Sequence, residues 1–249
     1  MSELLDRLFR AITKLSVPKQ RQLETVVQAL SVDVRFEVSS LSDFADNEFI
    51  TQMGAVLQLH HSFSREPFTK DKFEFAMAAT LNESGHLAVL ADKGNPGHDL
   101  TVDGVPWSLK TQADRNIKPD QITISKYMEL GKGQWLEESD LYGLRDRMFA
   151  HMRSYERIFT LRCLTPGDPE QKVYQLVEIP KSLLLLAADF PCEMMHGSGQ
   201  TPKPGYCRVA IDGSPAFELY FDGGTERKLQ VRKLKVALCH VHATWTITL

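Results

Sequence analysis

Leu4, Leu5, Leu8, Phe9, Ile12 and Leu15 recur at the spacing of one helical face, which predicts an amphipathic helix ended by Pro18. Gln20 to Leu30 can form a second helix, so the chain opens with a helical segment over about residues 1–40. Between Lys70 and Leu81, Phe73, Ala76, Met77 and Leu81 mark another helical face, and Gly85 supplies a stop signal. Leu141 to Met152 reads as a further helix.

Beyond Gly85 the period changes. Leu87 to Ala91 is apolar, Gly94-Asn95-Pro96-Gly97 is turn material, and Asp99 to Asp103 alternates polar with apolar residues. Asp103-Gly104 offers a two-residue hairpin turn, after which Val105 to Lys110 resumes the alternation. Further strands are expected at Ile122–Ser125, Tyr155–Cys163 (which could begin as helix), Tyr174–Ile179, Phe217–Phe221, Lys228–Leu234 and Cys239–Ile247. The expectation is one α/β domain spanning residues 1–249, a mixed β-sheet flanked by helices.

The hairpin carries the candidate chemistry. With Asp103-Gly104 as the turn, Val102 pairs with Val105, Leu100 with Trp107 and Asp99 with Ser108. Lys110 is then the diagonal neighbour of Asp99 on one face, about 7–8 Å away by backbone. Leu100, Val102, Trp107 and Leu109 share the opposite face and can anchor the hairpin in a core, although Pro106 cannot donate to a central ladder.

A carboxylate beside an ammonium suits metal-assisted phosphodiester hydrolysis. The carboxylate holds a hard cation such as Mg²⁺, and the lysine orients or deprotonates the attacking water and stabilises developing charge. Glu74 is the first candidate for a second carboxylate and the Leu109 main-chain carbonyl for a further ligand, with Glu83 and Asp103 as lesser choices. Taken alone, the same residues also suit a turn aspartate and a solvated strand lysine.

Composition narrows the class. The 249 residues are 43% hydrophobic and 24% charged, which is ordinary for a globular protein with a packed core. A formal net charge of −3 argues against wholesale coating of nucleic acid. It leaves room for a local basic groove, because Arg227, Lys228, Arg232, Lys233 and Lys235 cluster late in the chain. The four cysteines show no metal-binding spacing, the first residues are acidic where a signal peptide would be basic, and no apolar run has the length of a membrane span. These features predict an intracellular, cytoplasmic protein with reduced thiols and no membrane partner.

Long blocks then carry a resemblance. LNESG (81–85), NPGHDLTVD (95–103), LKT (109–111), MELGKG (128–133), YERIFTLR (155–162), YQLVEIPKSLLL (174–185), PKPGY (202–206) and YFDGGTERKLQ (220–230) occur in the order found in SmaI-like type II restriction endonucleases. From roughly Phe44 to the C-terminus the chain resembles that family, within the PD-(D/E)xK nuclease superfamily. The resemblance implies a restriction-endonuclease-like core and Mg²⁺-dependent cleavage of double-stranded DNA at CCCGGG with a blunt central cut. It places Asp99, Lys110 and Glu74 as catalytic residues. Ser108 stands where the wider pattern has an acid, a position that is also non-acidic in the SmaI-like enzymes, and Gln112 replaces an acid just past the lysine.

A G·C-rich target needs donors to guanine O6 and N7. On 228–232, Leu229 and Val231 point one way while Lys228, Gln230 and Arg232 point the other, with Arg227 just before them. On the last strand Cys239, Val241, Ala243, Trp245 and Ile247 share one face, leaving His240, His242, Thr244 and Thr246 on the other. Both stripes also read as ordinary solvated faces, and the two histidines lack the partners a zinc site needs. Gly131-Lys132-Gly133 lacks the spacing of a phosphate loop, so Lys126 and Lys132 are read as DNA-backbone contacts. A palindromic target favours a twofold homodimer. The alternatives are a repair-type nicking endonuclease and a DNA-binding protein of nuclease ancestry that no longer cuts.

Overall fold

The computed structural model describes residues 3–92, 94–95 and 97–249; Met1, Ser2, Lys93 and Pro96, and with them part of the expected 94–97 turn, lie outside the described residues. Two helices open the chain, α1 (Glu3–Ile12) and α2 (Val17–Leu30). Pro18 does not end the first helix as expected; it sits in the first turn of α2, where its missing N–H is not needed. An extended segment, β1 (Arg35–Val38), follows.

α3 (Asn47–His61) was not anticipated from the sequence. Asp46 caps it, accepting the Phe49 N–H at 2.8 Å, and Phe49, Ile50, Met53 and Leu57 are fully buried. Gly54 lets the helix approach the sheet, since a Cβ there would meet Trp245 and Val34 at 3.4 Å. α4 (Lys70–Glu83) buries Phe73, Ala76, Met77 and Leu81 as the spacing predicts and stops at Gly85, whose φ is +90°.

The chain then enters β2 (Ala88–Leu90), β3 (Leu100–Val102), β4 (Val105–Gln112) and β5 (Gln121–Glu129). α5 (Glu138–Met152) begins with a capping box in which Glu137 and Asp140 satisfy each other's backbone N–H groups. β6 (Arg157–Cys163), β7 (Gln171–Glu178), α6 (Lys181–Leu185), β8 (Cys192–Met194), β9 (Gly205–Ile211), β10 (Ser214–Phe221), β11 (Lys228–Lys235) and β12 (His240–Thr248) complete the chain.

Two sheets form where one was expected. The larger is mixed, ordered β1-β12-β7-β6-β4-β3-β2, with β4 and β6 parallel. The smaller is antiparallel, ordered β5-β11-β10-β9-β8. α3 and α4 cover one face of the large sheet through Phe49, Phe73, Trp107, Leu109, Phe159 and Trp245. A second core, built on Leu144, Met148, Tyr155, Phe217, Leu229 and Val231, joins α5 to the small sheet. Each fully buried Leu or Phe contributes roughly 1.5–3 kcal/mol, and the β3–β4 hairpin is anchored in the first of these cores through Leu100, Val102, Trp107 and Leu109.

The last strand departs from its predicted alternation. A bulge between Val241 and Ala243 switches faces, so Cys239 and Val241 pack on one core while Ala243, Trp245 and Ile247 pack on the other. His242 therefore does not join an open face. It is 3% exposed, bonded to Glu178 Oε2 at 3.0 Å and Ser42 Oγ at 2.9 Å, and stacked near Phe44 and Phe159. The four cysteines are free, and among the described residues no helix is long and apolar enough to cross a membrane.

Candidate active site and adjoining clefts

The hairpin register is Leu100 to Trp107 and Val102 to Val105, as the two-residue turn dictates. Asp103 and Gly104 both take positive φ, 50° and 83°, which a tight hairpin of this kind requires. Pro106 is accommodated because its carbonyl, not its missing N–H, is used: it accepts from Glu156 N at 2.8 Å. Leu100, Val102, Trp107 and Leu109 are buried beneath the hairpin.

Asp99 lies at the mouth of β3. Its backbone N–H donates to Trp107 O at 2.9 Å, and its Oδ2 accepts the Leu109 N–H at 2.6 Å and the Ser108 hydroxyl at 3.2 Å. Lys110 Nζ is 3.8 Å from the same Oδ2 and donates to Ser108 Oγ at 2.9 Å. The Asp99 Oδ1 accepts from Lys70 Nζ at 2.7 Å, and Lys70 also reaches Glu74 at 2.8 Å. The sequence thus brings Asp99, Glu74 and Lys110 into one cluster. Lys70 is the member that pattern reading missed; its signal was the i,i+4 spacing to Glu74 at the start of α4.

Electrostatics set the two principal groups apart. Burial raises the Asp99 carboxyl, but the adjacent Lys110 and Lys70 ammonium groups and the Leu109 N–H outweigh it and hold its pKa below the ordinary value. Burial lowers the Lys110 ammonium to about 8, with Asp99 opposing and Lys70 adding to the fall. Lys110 is 8% exposed and lies 5.8 Å from the Tyr127 ring centre. His151 is lowered by burial and by the same lysine.

The donor set suits a hard cation. Lys70 shows that a positive centre fits between Asp99 and Glu74. Because a strand residue's N–H and C=O point to the same edge, the Leu109 carbonyl faces the edge on which its N–H meets Asp99. Among the described residues no three His, Cys, Asp or Glu side chains come together for a metal, so two carboxylates, one carbonyl and retained waters would have to hold it. Asp103 is committed elsewhere, to His86 Nδ1 at 2.7 Å and Leu87 N at 2.8 Å, and Glu83 is exposed at the far end of α4. Gln112 is buried against Arg162 Nε at 3.0 Å and takes no part in the cluster.

Two clefts share Lys126, and the smaller of them reaches this cluster. One, about 360 Å³, is lined by Lys70, Lys110, Thr111, Ser125, Lys126 and Tyr127. The other, about 790 Å³, is lined by Lys126, Lys132, Gln200, Thr201, Thr225 and Arg227. Lys126 belongs to both and pairs with Glu129 at 2.7 Å. Arg227 is turned onto the Lys132 and Gly133 carbonyls, and Lys228 pairs with Glu226 at 2.9 Å. Gly223 closes the larger cleft against Pro202, whose carbonyl leaves no room for a Cβ.

On the polar face of the small sheet Arg232 is partly exposed, but Gln230, expected beside it in solvent, is 7% exposed because both ends of its amide are taken by neighbouring side chains. Arg232 lies 3.6 Å over the Tyr220 ring and donates through Nε to Gln230 Oε1 at 2.8 Å; Gln230 in turn reaches Asp222 at 3.2 Å. Tyr206 and Tyr220, an aromatic shelf absent from the sequence expectation, stack with ring centres 4.9 Å apart. Neither His240 nor His242 lines either cleft among the described residues.

Comparison with known proteins identifies the family. A family model for the SmaI type II site-specific deoxyribonucleases matches residues 8–247. The chain is 42% identical to the type II restriction enzyme SmaI of Serratia marcescens over 246 residues, covering 98% of this chain and 97% of that protein. No solved structure matches the chain at a significant level. This chain therefore belongs to the SmaI family of type II site-specific deoxyribonucleases, and it is a restriction endonuclease.

Proposed function

We propose that the enzyme has a PD-(D/E)xK core and cuts both strands of double-stranded DNA at CCCGGG, leaving blunt ends, with Mg²⁺ as cofactor. The observation that carries this reading is the junction of Asp99, the Leu109 main chain and Lys110 on one hairpin, with Glu74 facing it. The target and the blunt cut rest on the resemblance of the 95–103, 174–185 and 220–230 blocks to SmaI-like enzymes.

Asp99, Glu74 and the Leu109 carbonyl would hold the ion. When bound, Mg²⁺ supplies charge neutralisation at the scissile phosphate and acidifies a water. Lys110, lowered to about 8 and held by Ser108 Oγ, is poised to exchange a proton near neutral pH and to face the negative charge that develops on phosphorus oxygens. Lys126 and Lys132 position the backbone, while Arg232 reads base edges and the buried Gln230 holds its guanidinium in place. Arg227 and Lys228 contribute positive potential more than direct contacts, because their heads are already engaged. His240 is left as a peripheral contact, and His242 is assigned to the core.

A palindrome calls for two sites related by a twofold axis, so the working unit is a homodimer. The apolar side chains exposed near the N-terminus, among them Leu4, Leu8, Phe9, Val27, Leu30 and Phe36, offer a surface for the second copy.

The test is digestion of matched plasmids with and without one CCCGGG site, in Mg²⁺ and in EDTA, with sequencing of the ends. Blunt, site-dependent linear product supports the reading. Nicked circles would assign a nicking enzyme, and a gel shift without cleavage a binding protein.

A further inference from the structure

We propose that Lys70 is a built-in counter-cation: in the DNA-free enzyme its ammonium holds the metal position between Asp99 and Glu74, and it must leave before a divalent ion enters. This rests on the proposed two-carboxylate metal site. Of the two Asp99 oxygens, Oδ2 is already filled by Leu109 N–H and Ser108, and Oδ1 is the one a metal would use. Lys70 Nζ occupies that oxygen at 2.7 Å and the facing Glu74 oxygen at 2.8 Å. An ammonium and a divalent cation compete there for the same lone pairs.

Position in the fold supports a removable plug. Lys70 is the first residue of α4, where a positive charge opposes the helix dipole, and Thr69 makes no side-chain cap. The two carboxylates, rather than the helix, therefore keep the ammonium in place. Lys70's side chain is 41% exposed, whereas that of Lys110 is 10% exposed, so Lys70 is the freer of the two to swing into solvent. Lys70 also lines the smaller cleft with Lys126. A DNA phosphate entering that cleft gives the ammonium an alternative anion and frees the carboxylates, which couples metal loading to DNA binding.

The test is Mn²⁺ titration of the folded, DNA-free protein, followed by the electron paramagnetic resonance of free Mn²⁺. Wild type is compared with Lys70→Met, with Lys70→Gln as the second variant in case the first unfolds, and with Lys70→Met/Asp99→Asn. Removal of the ammonium is expected to tighten Mn²⁺ binding about tenfold or more, and Asp99→Asn to abolish that gain. Adding a 20-base-pair duplex is expected to tighten binding to wild type far more than to Lys70→Met. Equal or weaker Mn²⁺ binding by both Lys70 variants overturns the proposal, including the case in which neither binds while wild-type cleavage still needs a divalent ion. Cleavage that persists in EDTA would instead overturn the metal reading itself, and this proposal with it.

Discussion

Lys110 Nζ stands 3.8 Å from Asp99 Oδ2, and the Ser108 hydroxyl spans the gap, donating to the carboxylate at 3.2 Å and accepting from the ammonium at 2.9 Å. Ser108 therefore links the two side chains and holds the lysine. Ser108→Ala removes that hold but leaves the Leu109 N–H on Asp99. The expected result is a fall of about tenfold in single-turnover cleavage with unchanged DNA affinity, the loss of one hydrogen bond to a charged group. An unchanged rate would show that Lys110 is positioned without Ser108.

Burial of the Lys110 ammonium opposes folding. Its pKa falls from the ordinary lysine value to about 8 in the folded state, so around pH 7 it is charged in both states and the folded state bears the desolvation cost. Between about pH 8 and 10.4 the folded protein releases the proton first, and stability rises with pH. Lys110→Met is expected to abolish cleavage yet raise Tm at pH 7 by several degrees, with the gain shrinking above about pH 8. Thermal melts across pH check this; a lowered Tm at pH 7 would mean that the pair with Asp99 outweighs desolvation.

Glu178 has the opposite sign. Burial opposes its charge, but Arg157 at 2.7 Å and His242 at 3.0 Å bring its pKa to about 2. Its stabilising contribution is present above the unfolded value near 4.3 and is lost as pH falls toward about 2. Glu178→Gln should cost roughly 2–4 kcal/mol at pH 7 and flatten the acid limb of the stability curve. Denaturant titrations at several pH values measure both effects, and a parallel acid limb in the variant would exclude Glu178 as its source.

Arg232, fixed over Tyr220 and by Gln230, presents a guanidinium whose orientation is set before DNA arrives. Arg232→Ala should lose roughly 1–3 kcal/mol of discrimination between the target and sites with one altered base pair. Competition cleavage on such a panel reports it. Uniform weakening across all sites would reassign Arg232 to the phosphate backbone.

What the sequence made legible follows from how local each signal is. Asp103-Gly104 fixes a two-residue turn, and from that alone the register and the Asp99–Lys110 diagonal follow. α4 was legible because Phe73, Ala76, Met77 and Leu81 keep one face. α3 was not, because Gly54, Gln58 and His61 interrupt its apolar stripe; Gln58 is buried there only because it bonds to the Ala29 and Val32 carbonyls. The switch of faces at His242 depends on a bulge against β7, and the second sheet on which strands find one another. The bond from Lys70 to Asp99 was invisible for the same reason, joining residues that only the tertiary fold brings together, although its i,i+4 pair with Glu74 is local.

The most direct test of the catalytic assignment is single-turnover cleavage by Asp99→Asn beside its DNA affinity, measured by fluorescence anisotropy on the same duplex. The arrangement of Asp99 on the hairpin predicts cleavage reduced by at least about a thousandfold, with affinity near that of wild type and the fold intact. Cleavage within tenfold of wild type would place the reacting phosphate elsewhere on the molecule and contradict the account.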